Sequence, residues 1–120
     1  MNDFFIADKE GTQRFVDSIS DYDFIHFHMV GMDHVSHVNK IPSHKLHTNV
    51  SEAYDVHFKS IVDEINKLDE NAILIVYGDH GSDFDGKHGT KAVETSISSF
   101  AFVYSNKEEF SFNQQEDVIR

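Results

Sequence analysis

Residues 73–89 read Ile-Leu-Ile-Val-Tyr-Gly-Asp-His-Gly-Ser-Asp-Phe-Asp-Gly-Lys-His-Gly, and this stretch restricts the fold more than any other. Its apolar start is rich in β-branched residues, which predicts a buried strand over 73–78. The run stops at Gly78-Asp79-His80-Gly81, and a second His-Gly pair, His88-Gly89, follows a polar turn. A strand that delivers a carboxylate and an imidazole into a Gly-rich loop suits a metal site, because glycine lets the backbone crowd a bound ion or phosphate. A second apolar run, Tyr22 to Met29, leads into Gly31-Met-Asp-His-Val-Ser-His37. The rest of the chain reads as support for these two strand ends.

A length of 120 residues fits one small domain and not two. Hydrophobic residues make up 39%, with 11 Phe, enough for a packed core. The formal charge is −11, from 21 acidic and 10 basic residues. That balance excludes a nucleic-acid backbone as partner and fits carboxylates held for cations. Nine His point to metal or proton chemistry where they fall in patterns. Cysteine is absent, which removes a disulfide framework and Cys-ligated zinc. No run approaches the ~20 apolar residues that span a bilayer. The first residues lack the basic segment and apolar stretch of a signal peptide.

In chain order, Phe15, Val16 and Ile19 predict a short helix over 12–19. Residues 22–29 predict a strand, and 38–48, with the one Pro, a loop. Asn49-Val-Ser-Glu52 reads as a capping box that starts a helix. Tyr54, Phe58, Ile61, Val62, Ile65 and Leu68 lie on that helix's apolar face. A strand over 99–104 follows the Gly/Asp/His loop. This order predicts an α/β fold with an at least partly parallel sheet. In such sheets, sites collect at the carboxyl ends of strands, where both His/Asp clusters fall.

Asp33 and His37 share one face if Asp33 opens a helical turn. Asp79 and His80 reach a common region from a strand end, and His88 folds back across the turn. Two Asp and three His suit zinc or manganese. Two such ions ~4 Å apart would clamp a phosphoryl group. The other candidates have plainer readings. His26 and His28 are strand residues with hydrogen-bond partners, His34 points away from the 33/37 pair, and His57 is exposed on its helix. Asp83 and Asp85 read either as supports behind the ligands or as turn residues, and turn chemistry explains them as well.

The combination His-Phe-His-Met-Val-Gly-Met-Asp-His-Val-Ser-His (26–37), a loop and helix, then Ile-Val-Tyr-Gly-Asp-His-Gly through His88-Gly89 resembles the alkaline phosphatase superfamily. Within it, the pattern is most like the glycosylphosphatidylinositol (GPI) ethanolamine phosphate transferases, over roughly residues 22–105. The resemblance implies a partial alkaline-phosphatase-like domain over 1–105, a mostly parallel sheet flanked by helices, and a polar tail over 106–120. It implies two divalent ions, zinc or else manganese: Asp33, His37 and His88 on one, Asp79 and His80 on the other. His44, after Pro42, falls near a substrate-pocket position of the family. Ser36 and Thr90 stand where the family has Gly, and Ser82 where it often has Met.

The family uses a Thr or Ser nucleophile and a further Asp on an upstream segment, and neither has a counterpart here. The resemblance therefore implies a fragment lacking the nucleophile segment and the membrane helices, with a missing catalytic half or another subunit as partner. For the intact enzyme it implies transfer of phosphoethanolamine from phosphatidylethanolamine to a GPI glycolipid precursor, on the lumenal side of the endoplasmic reticulum membrane. Two other readings stay open: a phosphodiesterase, nucleotide pyrophosphatase or phosphomutase of the superfamily, and a divalent-metal-binding domain without turnover.

Overall fold

In the computed structural model, residues 6–38, 45–83, 88 and 97–108 are described. Helices α1 (Ile6–Ser18), α2 (Gly31–Val38) and α3 (Lys45–Ile65) are followed by strands β1 (Ile73–Tyr77) and β2 (Ala101–Ser105). The strands pair antiparallel, with Ile73 opposite Ser105 and Tyr77 opposite Ala101. The sequence predicts a mostly parallel sheet, and the described residues form no parallel ladder.

The reason lies partly in residues 22–29, predicted as a strand. The segment keeps a strand's alternation, with Ile25, Phe27 and Met29 turned inward and Phe24, His26 and His28 exposed, yet it joins no ladder. Phe27 lies instead on α1. A Cβ on Gly11 would sit 2.3 Å from its ring, so that helix position must be glycine for the ring to approach.

The core forms where α1 and α3 cover one face of the sheet. Ile61, Ile65 and Leu74 are its buried centre, and Phe15, Val16, Ile19, Phe58, Val62, Val76 and Tyr104 pack around them. Val35 of α2 and Val50 of α3 are fully buried, and α2 packs against α3. β1 is covered on one side only: Leu74 is buried, while Ile73, Ile75 and Tyr77 are more than half exposed. The fully buried strand read from the apolar run is thus half-covered, as antiparallel sheets commonly are.

α3 starts a full turn before the predicted capping box. Leu46 continues the apolar stripe backward, and no Gly or Pro between Lys45 and Asn49 halts propagation. The last turn of α3 is closed by Asn106, just past β2. Its Nδ2 donates to the Ile65, Leu68 and Glu70 carbonyls at 3.0, 3.4 and 3.1 Å, and its Oδ1 accepts the Ala72 N–H at 2.8 Å. One amide side chain thereby satisfies carbonyls that a helix end leaves open.

Candidate metal centre

Short helix α2 carries Asp33 and His37, and its start is held from outside. Asp8 of α1 is 2% exposed. Its Oδ1 accepts the Val30 N–H at 3.0 Å and its Oδ2 the Gly31 N–H at 2.8 Å. The Tyr54 hydroxyl of α3 donates to the same Oδ2 at 2.8 Å and accepts the Met32 N–H at 3.2 Å. The donors that a helix start leaves open are thus met by a carboxylate and a phenol from two other helices. The negative charge also complements the positive end of the helix dipole. Burial, and then the neighbouring Asp8 carboxylate, push the Tyr54 hydroxyl well above its ordinary range, despite the opposing Met32 N–H. Thr12 donates to the Asp8 carbonyl at 2.7 Å and steadies that turn of α1.

From this anchored turn, Asp33 and His37 project together, with His37 Nε2 3.4 Å from Asp33 Oδ2. His88 arrives from far along the chain. Its Nε2 lies 3.2 Å from Asp33 Oδ1 and 3.1 Å from His37 Nε2. Two donors on one tetrahedral ion at about 2.1 Å are about 3.4 Å apart, so these spacings fit three donors around a common cation. Ser36 fits beside them because its hydroxyl turns back onto its own helix, donating to the Met32 carbonyl at 2.9 Å.

β1 supplies the other group. Gly78 ends the ladder by donating to the Phe100 carbonyl at 3.1 Å. A Cβ there would meet Ser99 Oγ, whose hydroxyl donates to the Gly78 carbonyl at 2.6 Å, so a larger residue would displace that contact where the strand turns into the loop. Asp79 follows, and its Oδ1 accepts the His80 N–H at 3.1 Å. His80 places Nδ1 2.8 Å from the Gly81 carbonyl, an acceptor only; Nδ1 therefore carries the proton and Nε2 keeps its lone pair for a ligand. That Nε2 is 3.8 Å from Asp79 Oδ2. The His80 ring stacks on His88, with centroids 3.9 Å apart. One donor atom each from Asp33, His80 and His88 also falls within a 4.8 Å span. His80 therefore stands between the Asp33 group and Asp79.

The five residues singled out from sequence come together at the ends of α2 and β1. His44 and Thr90 lie outside the described residues, as does Asp85. His34 is exposed. His57 is half-buried rather than exposed, with its ring 6.4 Å from that of Tyr54. His26 hydrogen-bonds the Tyr77 hydroxyl at 3.1 Å. His28 Nε2 is 3.8 Å from Asp79 Oδ2. Sequence reading missed Asp8 altogether and took Tyr54 for a core aromatic.

The chain matches the family model described as the Metalloenzyme superfamily over residues 6–116. It is 33% identical over 111 residues to GPI ethanolamine phosphate transferase 3 of Schizosaccharomyces pombe, covering 91% of this chain and 12% of the relative. To transferase 3 of Eremothecium gossypii it is 38% identical over 87 residues, covering 72% and 8%. To transferase 2 of Debaryomyces hansenii it is 31% identical over 93 residues, covering 74% and 10%. The chain thus spans only a small part of these relatives. No solved structure matches it significantly. The family match over nearly the whole chain, together with the Asp/His groups at the ends of α2 and β1, places this protein in the alkaline-phosphatase-like Metalloenzyme superfamily.

Proposed function

We propose that this chain carries the cation-binding part of a phosphoethanolamine transferase of GPI-anchor biosynthesis, as a portion of a longer catalytic unit. The carrying observation is the Asp33 carboxylate set against two imidazoles: Oδ2 lies 3.4 Å from His37 Nε2, Oδ1 lies 3.2 Å from His88 Nε2, and the two Nε2 atoms are 3.1 Å apart. The donor chemistry fits zinc, or else manganese: carboxylates and imidazoles, with no thiolate. Asp33, His37 and His88 would hold one ion; Asp79 and His80 would hold a second. Bound there, such cations polarise a phosphoryl oxygen and ease deprotonation of an attacking hydroxyl.

The chain's own residues set the geometry for that chemistry. Asp8 and Tyr54 hold the start of α2, so Asp33 and His37 are presented from a rigid turn. Gly78 lets β1 end tightly, so Asp79 and His80 face the same region. The Gly81 carbonyl keeps the His80 proton on Nδ1 and away from the ligand atom. By resemblance to the named relatives, the donor lipid is phosphatidylethanolamine and the acceptor a GPI glycolipid precursor. The corresponding site of action is the lumenal face of the endoplasmic reticulum membrane. Among the described residues, no helix is long and apolar enough to cross a membrane.

Zinc binding tests the centre. Asp79→Asn and His80→Ala should each lose zinc relative to wild type, whereas His57→Ala should match wild type. Equal stoichiometry in all of them would remove the assignment. Reaction class is read from the zinc-loaded protein joined to the upstream nucleophile-bearing segment of a GPI ethanolamine phosphate transferase. Release of diacylglycerol from phosphatidylethanolamine vesicles, lost in Asp79→Asn, supports the transferase. Turnover of soluble phosphodiesters alone would move the reading to a phosphodiesterase. Zinc binding with neither activity would leave a metal-binding domain.

A further inference from the structure

Asp79 meets two imidazoles, and the proposed second cation site uses only one of them. Asp79 Oδ1 is already engaged by the His80 N–H at 3.1 Å. Its other oxygen, Oδ2, is the point on which two Nε2 atoms converge, those of His80 and His28, each at 3.8 Å. That distance exceeds a hydrogen bond, which for N–H···O ends near about 3.2 Å. It lies within the separation of two donors sharing one ion, about 3.2 to about 3.9 Å for bonds of about 2.1 Å.

The two histidines of the 23–30 segment are not equivalent. His26 has its Nε2 committed to the Tyr77 hydroxyl at 3.1 Å. His28, two residues on and on the same exposed side of the alternation, faces the carboxylate. His80 has its tautomer set by the Gly81 carbonyl, so its Nε2 lone pair is available.

We propose that His28 is a further donor to the second cation site, beside Asp79 and His80 and in addition to whatever an upstream segment supplies. This rests on the metal-centre reading and deepens it. The molecule then carries two sets of one carboxylate and two imidazoles, Asp33/His37/His88 and Asp79/His80/His28. Each set would offer a zinc-class ion three donors from this chain. The competing arrangement has His80 join Asp33 and His88 around one ion, leaving Asp79 and His28 as a simple surface pair.

The test is zinc titration of the 120-residue protein against a chromophoric chelator, with variants His28→Ala, His26→Ala and Asp79→Asn. Wild type and His26→Ala should bind two equivalents. Asp79→Asn should keep one, and His28→Ala should keep one while its second weakens at least tenfold. Should His28→Ala lose its far-UV circular dichroism, histidine ¹⁵N NMR of wild type decides. The His28 Nε2 resonance should move on zinc addition together with that of His80. Two unchanged equivalents in His28→Ala, or a stationary His28 Nε2 beside a shifted His80, would overturn the role of His28 and leave the metal centre standing. A single equivalent in wild type that His28→Ala does not alter would select the one-ion arrangement. No zinc bound by wild type would overturn both proposals.

Discussion

Asp8 does more for the candidate centre than its place in the sequence suggests. It touches no candidate ligand, yet it receives the Val30 and Gly31 N–H groups and the Tyr54 hydroxyl. Asp8→Ala leaves these donors without an acceptor in a buried place and should cost about 3 kcal/mol. Asp8→Asn, whose amide oxygen still accepts, should cost less; denaturant unfolding of the two variants measures the difference. Tyr54 adds a pH signature. Its folded-state pKa is raised above the unfolded value, so its contribution is complete below about pH 10. It is lost at higher pH, where the unfolded chain releases a proton that the folded protein keeps. Stability measured between pH 9 and pH 11 (chosen to bracket about pH 10) should therefore fall more steeply in wild type than in Tyr54→Phe. Neither role was legible in sequence. A lone Asp near the start of a weakly patterned helix carries no signal, and a Tyr at core spacing looks like any other aromatic. The ligand candidates were legible because Gly-Asp-His-Gly after an apolar run is an uncommon pattern with a direct chemical meaning.

At the level of elements, the strands and the long helix were readable from periodicity, and their partners were not. Ile73 to Tyr77 is apolar at every position, which the sequence cannot distinguish from a strand covered on both faces. The structure turns Leu74 inward and Ile75 outward. Leu74→Ala should cost about 3 kcal/mol, through lost burial and a residual cavity. Ile75→Ala should cost less than about 1 kcal/mol. Similar losses for both in chemical denaturation would mean that the outer face is covered in solution. Residues 22–29 show the same gap between pattern and partner. The alternation of a strand is present, but strand formation needs a neighbouring edge that a local pattern does not specify. The capping box at Asn49 failed for a related reason: Leu46 and Val50 extend the buried stripe, and packing outweighed the local stop signal.

For the molecule as a whole, the candidate centre joins segments remote in sequence, since His37 and His88 stand 51 positions apart. An ion held there crosslinks the fold in a chain without cysteine. Zinc at 100-fold over its dissociation constant should stabilise the protein by about 2.7 kcal/mol. That corresponds to a rise in melting temperature of roughly 10 °C. A chelator should reverse the rise, and differential scanning calorimetry with and without zinc would show it. A melting temperature indifferent to zinc would mean that no ion spans these segments.

The shared seat of α1, α2 and α3 on one carboxylate makes their positions interdependent. Any ligand that tightens the turn bearing Asp33 must also favour the docked position of the N-terminal helix, by the reciprocity of linked equilibria. Slower amide exchange along residues 6–18 after zinc addition, on a helix that supplies no candidate ligand, would be the visible trace of that linkage.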